Sequence, residues 1–437
     1  MRVEPHLRVY DQRSEFISED GSSQIFEEGA SDAATKLRYG RITTALKNGF
    51  LRQQIEQCRD HPETLEAIEL TETEQHMLER LVAAVTSEVG RALVGLTVLQ
   101  LTVKALEPEQ SVRLHKGGVG GRDFSWRGGI SMRSLDKNFI TPVLRDFGLL
   151  KLNRDGFMMT RTLAENYPYS RFYKAQMRGA KQEWSEIVEA LETGQLAAQP
   201  ALRFLLCKLL NNAETFKVLA DTVLSRVSIL GTRGLLTRLT VTQLMQAHLN
   251  RSDYAARIME VQMHALMQAC QELDLLGEAR LVPLSQMRSA NKKHGNIGDI
   301  ELKQDGQIVE SWDAKFGKAY LRDELEELGD KLGDHPNVMV AGFVTSVVPD
   351  RVAELHTRIA ELQDLHGVSM TIMTFDAWVV ARFDMGSLVE TQLAGAWLTA
   401  YAESLAQMRP ALAPIDEPCG HWLETLRAVL LKEVERE

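Results

Sequence analysis

The 437-residue sequence is poor in cysteine and lacks any long apolar run. Its cysteines, Cys58, Cys207, Cys270 and Cys419, are far apart and form no Cys-x-x-Cys pair, which argues against a zinc site or a disulfide framework. We expect four buried thiols in a reducing compartment. No uncharged apolar stretch approaches the length of about 18 residues that a membrane span needs. The N-terminus is charged throughout, unlike a secretory signal, so the sequence predicts a cytoplasmic protein without membrane attachment.

Net positive charge is also lacking, because 50 Lys and Arg are outweighed by 60 Asp and Glu, for a net charge of −10. This average does not by itself favour a nucleic-acid partner. The charge is unevenly distributed, however, and residues 111–181 contain 14 Lys and Arg against 5 Asp and Glu, a local charge of +9. Such a segregated basic block is typical of a DNA-binding face, although a solvated surface without a partner can have the same composition.

The pattern of apolar residues predicts a multidomain protein of the α plus α/β type. It divides the chain into four regions: a helical N-terminal region (1–110), a basic winged-helix-like region (111–183), a helical linker domain (184–253), and an α/β domain with C-terminal helices (254–437). Within the first region, residues 1–33 are polar and acidic and are expected to form an irregular arm.

Helices are predicted over residues 34–60 and 72–106. The second begins at Thr71-Glu72-Thr73-Glu74, which has the form of a capping box. Its C-terminal half is apolar on nearly all sides, which predicts a buried helix.

The basic region contains a helix-and-hairpin pattern. A helical stretch over 135–147 ends at Gly148, and Arg154-Asp155-Gly156 then lies between two apolar runs, which indicates a β-hairpin. Helix and hairpin in this order resemble the recognition helix and wing of a winged helix-turn-helix. An ordinary helix and hairpin without a DNA role is the alternative. Pro142 either interrupts the helix or marks its true start.

From about residue 281 the pattern changes to strands and helices. Two strands flank Gln304-Asp305-Gly306, a hairpin turn, and an amphipathic helix over 319–333 follows them. Two buried-type strands and a second helix come next, and residues 388–437 return to helix. Apolar strands separated by helices predict a mixed sheet covered by helices.

The predicted hairpin brings three chemical groups together. Asp313 and Lys315 are two residues apart on one strand, so their side chains project from the same face. The tight turn lays the partner strand alongside, which can bring Asp299 next to Asp313. Two carboxylates and a lysine are what phosphodiester hydrolysis needs, because two carboxylates can hold Mg²⁺ and a lysine can orient the attacking water and stabilise the charged transition state.

The segments Gly298-Asp299-Ile300-Glu301 and Asp313-Ala314-Lys315 resemble the active-site signature of the PD-(D/E)XK nucleases. The resemblance implies that residues 254–437 are a nuclease domain with a mixed sheet flanked by helices, in which Asp299, Asp313 and Lys315 are catalytic and the two aspartates bind Mg²⁺. Many members are restriction or repair enzymes. Gly298 replaces the family's proline. The candidate for a third metal-binding acid is Glu260, for which a solvated helix charge is the alternative.

Two other acidic residues of the same hairpin, Glu301 and Glu310, are alternative candidates for the active-site acid. Glu301-Leu302-Lys303 is a second acid-x-lysine triplet, which ranks lower because it lies against the turn. Glu310 shares the second strand but is expected to point away from Asp313. An exposed ion pair between Asp313 and Lys315 is the alternative to an active site.

These features together predict a Mg²⁺-dependent endonuclease for double-stranded DNA, of the type II restriction kind and homodimeric, because protein symmetry mirrors that of symmetric sites. Alternatives are a non-catalytic winged-helix DNA-binding regulator and a repair or modification-dependent nuclease of the same fold. The basic block would supply phosphate and base contacts. The candidate DNA-binding residues are Arg122, Arg127, Arg133, Lys137 and Arg161.

Overall fold

The computed structural model describes residues 4–61, 69–86, 88–115, 125–152, 155–159, 163, 167–173, 177, 180–285, 296–385, 390–415, 417 and 419–434. They form two compact units, residues 1–215 and 216–437, where the sequence pattern suggested four regions. Predicted Arg122 and Arg161 lie outside the described residues.

The N-terminal residues are not the irregular arm that their polarity suggested. They form a three-stranded antiparallel sheet of β1 (His6–Val9), β2 (Arg13–Ile17) and β3 (Ser23–Glu27). Two phenylalanines of this sheet, Phe16 and Phe26, are buried against Trp126 and Leu114. A few well-placed aromatic side chains therefore suffice to order a segment whose average composition is polar.

The helices of the described chain are α1 (Ala33–Lys47), α2 (Phe50–Asp60), α3 (Glu72–Ala83), α4 (Glu88–Leu106), α5 (Met132–Leu135), α6 (Thr141–Asp146), α7 (Lys181–Glu192), α8 (Ala198–Thr232), α9 (Arg238–Leu249), α10 (Ala255–Glu272), α11 (Arg322–Gly333), α12 (Val352–His366), α13 (Phe375–Phe383), α14 (Glu390–Leu405) and α15 (Cys419–Val434).

The start of the predicted helix over 72–106 is confirmed. Thr71 and Glu74 form a reciprocal capping box at the start of α3. The helix is divided, however, because a short 3₁₀ turn over Ala84–Thr86 separates α3 from α4. The expectation of burial is also confirmed for α4, in which Leu93, Leu96 and many neighbours are inaccessible to solvent.

The hairpin of the winged-helix hypothesis is not found among the described residues of its segment, and Phe157–Met159 is a 3₁₀ turn. The buried carboxylate of Asp136 accepts hydrogen bonds from the Met158 N–H at 2.8 Å and the Thr141 hydroxyl at 2.6 Å. The backbone of this segment thus bonds to a side chain where a hairpin would require a partner strand. The preceding helix is also interrupted, by a π-helical turn over Asp136–Ile140, and Pro142 lies in the first turn of α6.

The second unit contains a five-stranded mixed sheet of order β4-β5-β6-β7-β8. The first three strands pair antiparallel and the last three pair parallel. Around Trp312, one face packs against α10, α13 and α14, and around Phe343 the other packs against α11 and α12. The predicted mixed sheet covered by helices is therefore confirmed. Its strands are β4 (Arg280–Leu281), β5 (Ile300–Gln304), β6 (Gln307–Lys315), β7 (Val340–Thr345) and β8 (Ser369–Thr374).

The turn between β5 and β6 is the one that the sequence predicted. Asp305 has φ 51° and Gly306 has φ 80°, so both central residues are left-handed, as a type I′ turn requires. Gln304 pairs with Gln307 and Lys303 with Ile308 across this turn. A β-bulge between Leu302 and Lys303 then shifts the register by one residue, so that Leu302 pairs with Glu310.

The four cysteines are free and buried, as expected. Within the described part of the chain, every helix is too short or too polar to cross a membrane.

Candidate active site at the ends of β5 and β6

Asp299 and Asp313 lie opposite each other at the open end of the hairpin. Ile300 is the first residue of β5 to pair, with Trp312, and the N–H of Asp299, just before the strand, donates to the carbonyl of the same Trp312 at 3.0 Å. The Asp299 carboxylate accepts from the Ala314 N–H at 3.0 Å and lies within hydrogen-bonding reach of the Asp313 carboxyl group. The convergence of the two acids that the hairpin predicted is present.

Lys315 projects from the same face as Asp313. Its Nζ lies 2.8 Å from Asp313 Oδ2, and the two side chains are only 21% and 15% exposed. The Lys315 ammonium also lies 5.6 Å from the centre of the Phe343 ring, on the neighbouring strand. A partly buried, ring-contacted lysine is better fixed than a surface lysine, and its charge is less screened by water.

Burial raises the pKa of Asp299 well above its ordinary value, and the carboxylates of Asp313 and Glu260 raise it further. The pKa of Glu260 is raised as well, chiefly by burial, with the charges of Asp313 and Glu417 adding to the rise and that of Arg257 opposing it. Several carboxylates thus repel one another in a poorly solvated site. A cation placed among them would relieve this repulsion.

Arg257 holds Glu260 beside the hairpin. This arginine on α10 is 4% exposed and donates to Glu260 Oε2 at 2.6 Å and to the Ser285 carbonyl at 2.7 Å, while its Nε lies 3.1 Å from Glu417 Oε1. Glu260 is therefore not a solvated helix charge. Its carboxylate is near enough to the two aspartates to influence Asp299, but it is bound to an arginine.

The residues of the site fit Mg²⁺ as a set of two carboxylates. Within the described residues, no group of three or more His, Cys, Asp or Glu side chains is arranged to hold a metal ion by itself. Asp299 and Asp313 form a two-carboxylate set, and proteins usually bind Mg²⁺ by one or two carboxylates, with water and substrate phosphate completing the shell. The pair matches this pattern, and Glu260 stays a prediction as a third ligand.

Gly298 allows the chain to enter the site closely packed against β6. A Cβ atom at this position would lie 2.7 Å from Ser311 Oγ and 2.8 Å from the Trp312 carbonyl oxygen. We expect Gly298→Ala to displace Asp299 and to lower stability by about 1–3 kcal/mol, the usual range for overpacking. Thermal unfolding measures the loss.

The matched control for this substitution is Gly333→Ala at the end of α11, where an added Cβ meets nothing within 4 Å. This variant should retain the wild-type stability. A Gly298→Ala protein as stable as the wild type would contradict the close packing described here.

The two competing acidic residues have other partners. Glu310 lies 2.8 Å from Arg382 and accepts from the Trp312 indole N–H, on the sheet face opposite Asp313, as expected. Glu301 of the rival triplet is 2% exposed, and its carboxylate accepts backbone N–H groups of Ile297 and Gly298. Burial raises the pKa of Glu301. Glu301 is therefore bound to the backbone of the two residues that precede Asp299.

Sequence reasoning missed three residues around the site: Arg257, Glu327 and Lys331. Lys331 on α11 donates to the Ile297 carbonyl at 3.2 Å and pairs with Glu327 at 3.0 Å. The hydrogen bond from Lys331 lowers the pKa of Glu327. The charge of Lys315 lowers this pKa further, and that of Asp313 opposes the change. The available signals were weak helical pairs, Arg257 with Glu260 at i,i+3 and Glu327 with Lys331 at i,i+4.

The described candidates for DNA contact, Arg127, Arg133 and Lys137, all have intramolecular partners. Arg127 pairs with Glu27 at 2.7 Å and Lys137 with Asp155 at 3.0 Å, and all four side chains are more than half exposed. Arg133 instead donates to the Met158 carbonyl at 3.2 Å and is part-buried. Exposed pairs contribute little stability, so Arg127 and Lys137 are held only weakly by their partners, whereas Arg133 is bound to a backbone carbonyl.

Comparison with models of known protein families gave no match, and a search of curated proteins found no significantly similar sequence.

Proposed function

We propose that the chain is a Mg²⁺-dependent endonuclease for double-stranded DNA, of the type II restriction kind. One observation carries the proposal: the Asp299 carboxylate accepts from the Ala314 N–H at 3.0 Å, which puts it beside Asp313, and Lys315 pairs with Asp313 at the end of the same strand. The order of elements supports it, because hairpin, covering helix α11 and buried strand β7 follow one another as the resembled nuclease core requires.

Asp299 and Asp313 would hold the cation, and Lys315 would face the phosphate beside it. When bound, Mg²⁺ supplies positive charge to the phosphate oxygens and promotes the ionisation of water. Lys315 donates hydrogen bonds that orient the attacking water and stabilise negative charge developing on the phosphate. Asp313 fixes the Lys315 ammonium through their 2.8 Å contact, which reduces the reorganisation needed during the reaction. Arg127 and Lys137 of the basic block are the proposed phosphate contacts, and a homodimer would match a symmetric site.

A plasmid assay tests the proposal. Mixed-sequence plasmid DNA is incubated with Mg²⁺ and the wild type, Asp313→Ala or Lys315→Ala. We expect discrete fragments from the wild type and at least a thousandfold loss of rate in both variants, since removing about 4 kcal/mol of transition-state stabilisation has this effect. Chelation of Mg²⁺ should also abolish cleavage.

The matched control is Lys303→Ala, which alters the lysine of the rival triplet and should leave cleavage intact. Intact DNA in every reaction, together with retained gel-shift binding, would support the non-catalytic regulator and reject the nuclease. Binding should weaken steeply with salt, because several phosphates are neutralised.

A further inference from the structure

The short segment that delivers Asp299 to the site is held from two sides by residues of the second unit. On one side, Glu301 Oε1 accepts from the Ile297 N–H at 2.6 Å and from the Gly298 N–H at 3.3 Å. Both donors belong to the residues immediately before Asp299. The Glu301 side chain thus turns back along its own chain and binds the approach to the acid.

On the other side, Lys331 of α11 donates to the Ile297 carbonyl at 3.2 Å. Both polar groups of the Ile297 backbone are therefore satisfied by side chains, the N–H by Glu301 and the carbonyl by Lys331. The Lys331 side chain is 17% exposed and also pairs with Glu327. With the bond from the Asp299 N–H to the Trp312 carbonyl, three successive residues have fixed backbone positions.

Such fixing is needed because Asp299 lies before the first residue of β5, beyond the regular ladder. Regular strand pairing therefore does not hold its backbone, and the bonds at Ile297 and Gly298 limit its movement. A difference of about 1 Å in such a position is enough to impair metal binding or catalysis strongly.

We infer that Glu301, assisted by Lys331, is a positioning residue that holds the Ile297–Gly298 backbone so that Asp299 and Asp313 form one cation site. The inference rests on the proposed function. Glu301 acts through Asp299, which distinguishes it from the catalytic residues and explains why an acid-x-lysine triplet occurs here without being the active centre. A carboxylate that is 2% exposed is costly to bury, and its bonds go to the two residues before Asp299.

The test compares Mn²⁺ binding with single-turnover cleavage of plasmid DNA. Glu301→Met removes the acceptor while keeping a similar volume. We expect it to weaken Mn²⁺ binding, measured by calorimetry, and to slow cleavage, each by about 10–100-fold, the usual effect of losing a residue that orients a metal ligand. The concentration of DNA needed for half-maximal rate should not change. Glu301→Gln keeps one acceptor oxygen and should restore most of both properties.

Lys331→Met, on α11, provides a second variant in case Glu301→Met folds poorly. It should weaken Mn²⁺ binding in the same direction, and its effect should not add to that of Glu301→Met, because both act on the same backbone segment. The matched control is Glu310→Met, which removes a partly buried, ion-paired carboxylate from the opposite sheet face of the same hairpin. This control should lower thermal stability but keep the affinity for Mn²⁺.

The outcomes separate the inference from the proposed function. A wild type that neither binds Mn²⁺ nor cleaves DNA would overturn the function and, with it, this role of Glu301. If the wild type does both, unchanged Mn²⁺ affinity in Glu301→Met and Lys331→Met overturns the positioning role alone. Equal loss of Mn²⁺ affinity in Glu310→Met would mean that general destabilisation weakens Mn²⁺ binding. This result would also overturn the positioning role of Glu301.

Discussion

Replacing Asp299 with asparagine is expected to stop DNA cleavage and, in the absence of divalent cations, to make the protein more stable. The activity should fall by at least a thousandfold, about 4 kcal/mol of transition-state stabilisation, because one of two proposed cation ligands is lost. The stability should rise because the wild-type carboxylate is poorly solvated and faces Asp313 and Glu260. Asparagine keeps an oxygen that can accept from the Ala314 N–H but removes the charge.

The sign of the stability effect follows from the direction of the pKa shift. Since the folded-state pKa of Asp299 lies above its unfolded-state value, the stability associated with this group is fully present at low pH and is lost as the pH rises through the folded-state pKa. The gain from Asp299→Asn should therefore be largest near neutral pH and vanish in acid. Each 1 kcal/mol of relief raises the melting temperature of a unit of this size by about 2–4 °C.

Thermal unfolding with and without Mg²⁺ checks this prediction. Mg²⁺ should raise the melting temperature of the wild type and not that of Asp299→Asn. The difference in melting temperature between the two proteins should therefore shrink or change sign as Mg²⁺ is added. Asp330→Asn, on the exposed face of α11, is the control and should behave as the wild type. A less stable Asp299→Asn protein without cations would contradict the electrostatic account of the site.

The hairpin could be predicted because its signals are local. Asp305 and Gly306 suit a type I′ turn, which lays the two strands side by side, and the strand period places Lys315 on the same face as Asp313. The β-bulge between Leu302 and Lys303 was not predicted. Its shift of one residue pairs Ile300 with Trp312 and thereby brings Asp299 next to Asp313.

The support of the site could not be predicted in this way. Arg257 reaches Ser285 across 28 positions, and Lys331 reaches Ile297 across 34, and no periodicity records such pairs. Glu301 fits an ordinary strand pattern in the sequence. Its bonds to the Ile297 and Gly298 N–H groups depend on the side-chain conformation, which the sequence does not show. Contacts of this kind depend on the packed tertiary structure.

The described part of the predicted wing has a tertiary contact where the sequence has a local turn signal. Asp155 and Gly156 resemble a hairpin turn, but the following residues form a 3₁₀ turn whose Met158 N–H bonds to Asp136. Phe157 also packs against Gly95 of α4, where an added Cβ would lie 2.7 Å from its ring. The buried aspartate and the space left by this glycine stabilise the 3₁₀ turn at Phe157–Met159.

Acidification from neutral pH to about pH 4 is expected to destabilise the second unit through two buried histidines. His248 donates from Nε2 to the Trp422 carbonyl at 2.8 Å, and its Nδ1 accepts from the Tyr401 hydroxyl at 2.6 Å. His264 donates to the Val282 carbonyl at 3.0 Å and accepts from the Gln268 amide at 2.9 Å. Both rings are neutral in this arrangement, and a second ring proton would point at a donor.

Burial lowers the pKa of each of these histidines to about 4. The unfolded chain, with a histidine pKa of about 6.5, binds more protons than the folded chain between these values, so stability is lost as the pH falls from about 6.5 to 4. Each histidine can contribute about 3 kcal/mol over this window. The raised pKa values of Asp299, Glu260 and Glu301 act in the opposite direction, so the histidine contribution has to be measured as a difference between proteins.

Urea unfolding of the wild type, His248→Gln and His264→Gln at pH 7 and pH 4.5 provides that difference, since the carboxyl contributions are common to all three. Glutamine can keep the donor at the Nε2 position without gaining a charge. Each variant should lose less stability on acidification than the wild type, by up to about 1.4 kcal/mol per pH unit. His421→Gln, whose side chain is 72% exposed in the wild type, should retain the wild-type pH dependence. An unchanged pH dependence in both buried-site variants would mean that these histidines accept their protons in the folded protein, against the donor arrangement around Nδ1.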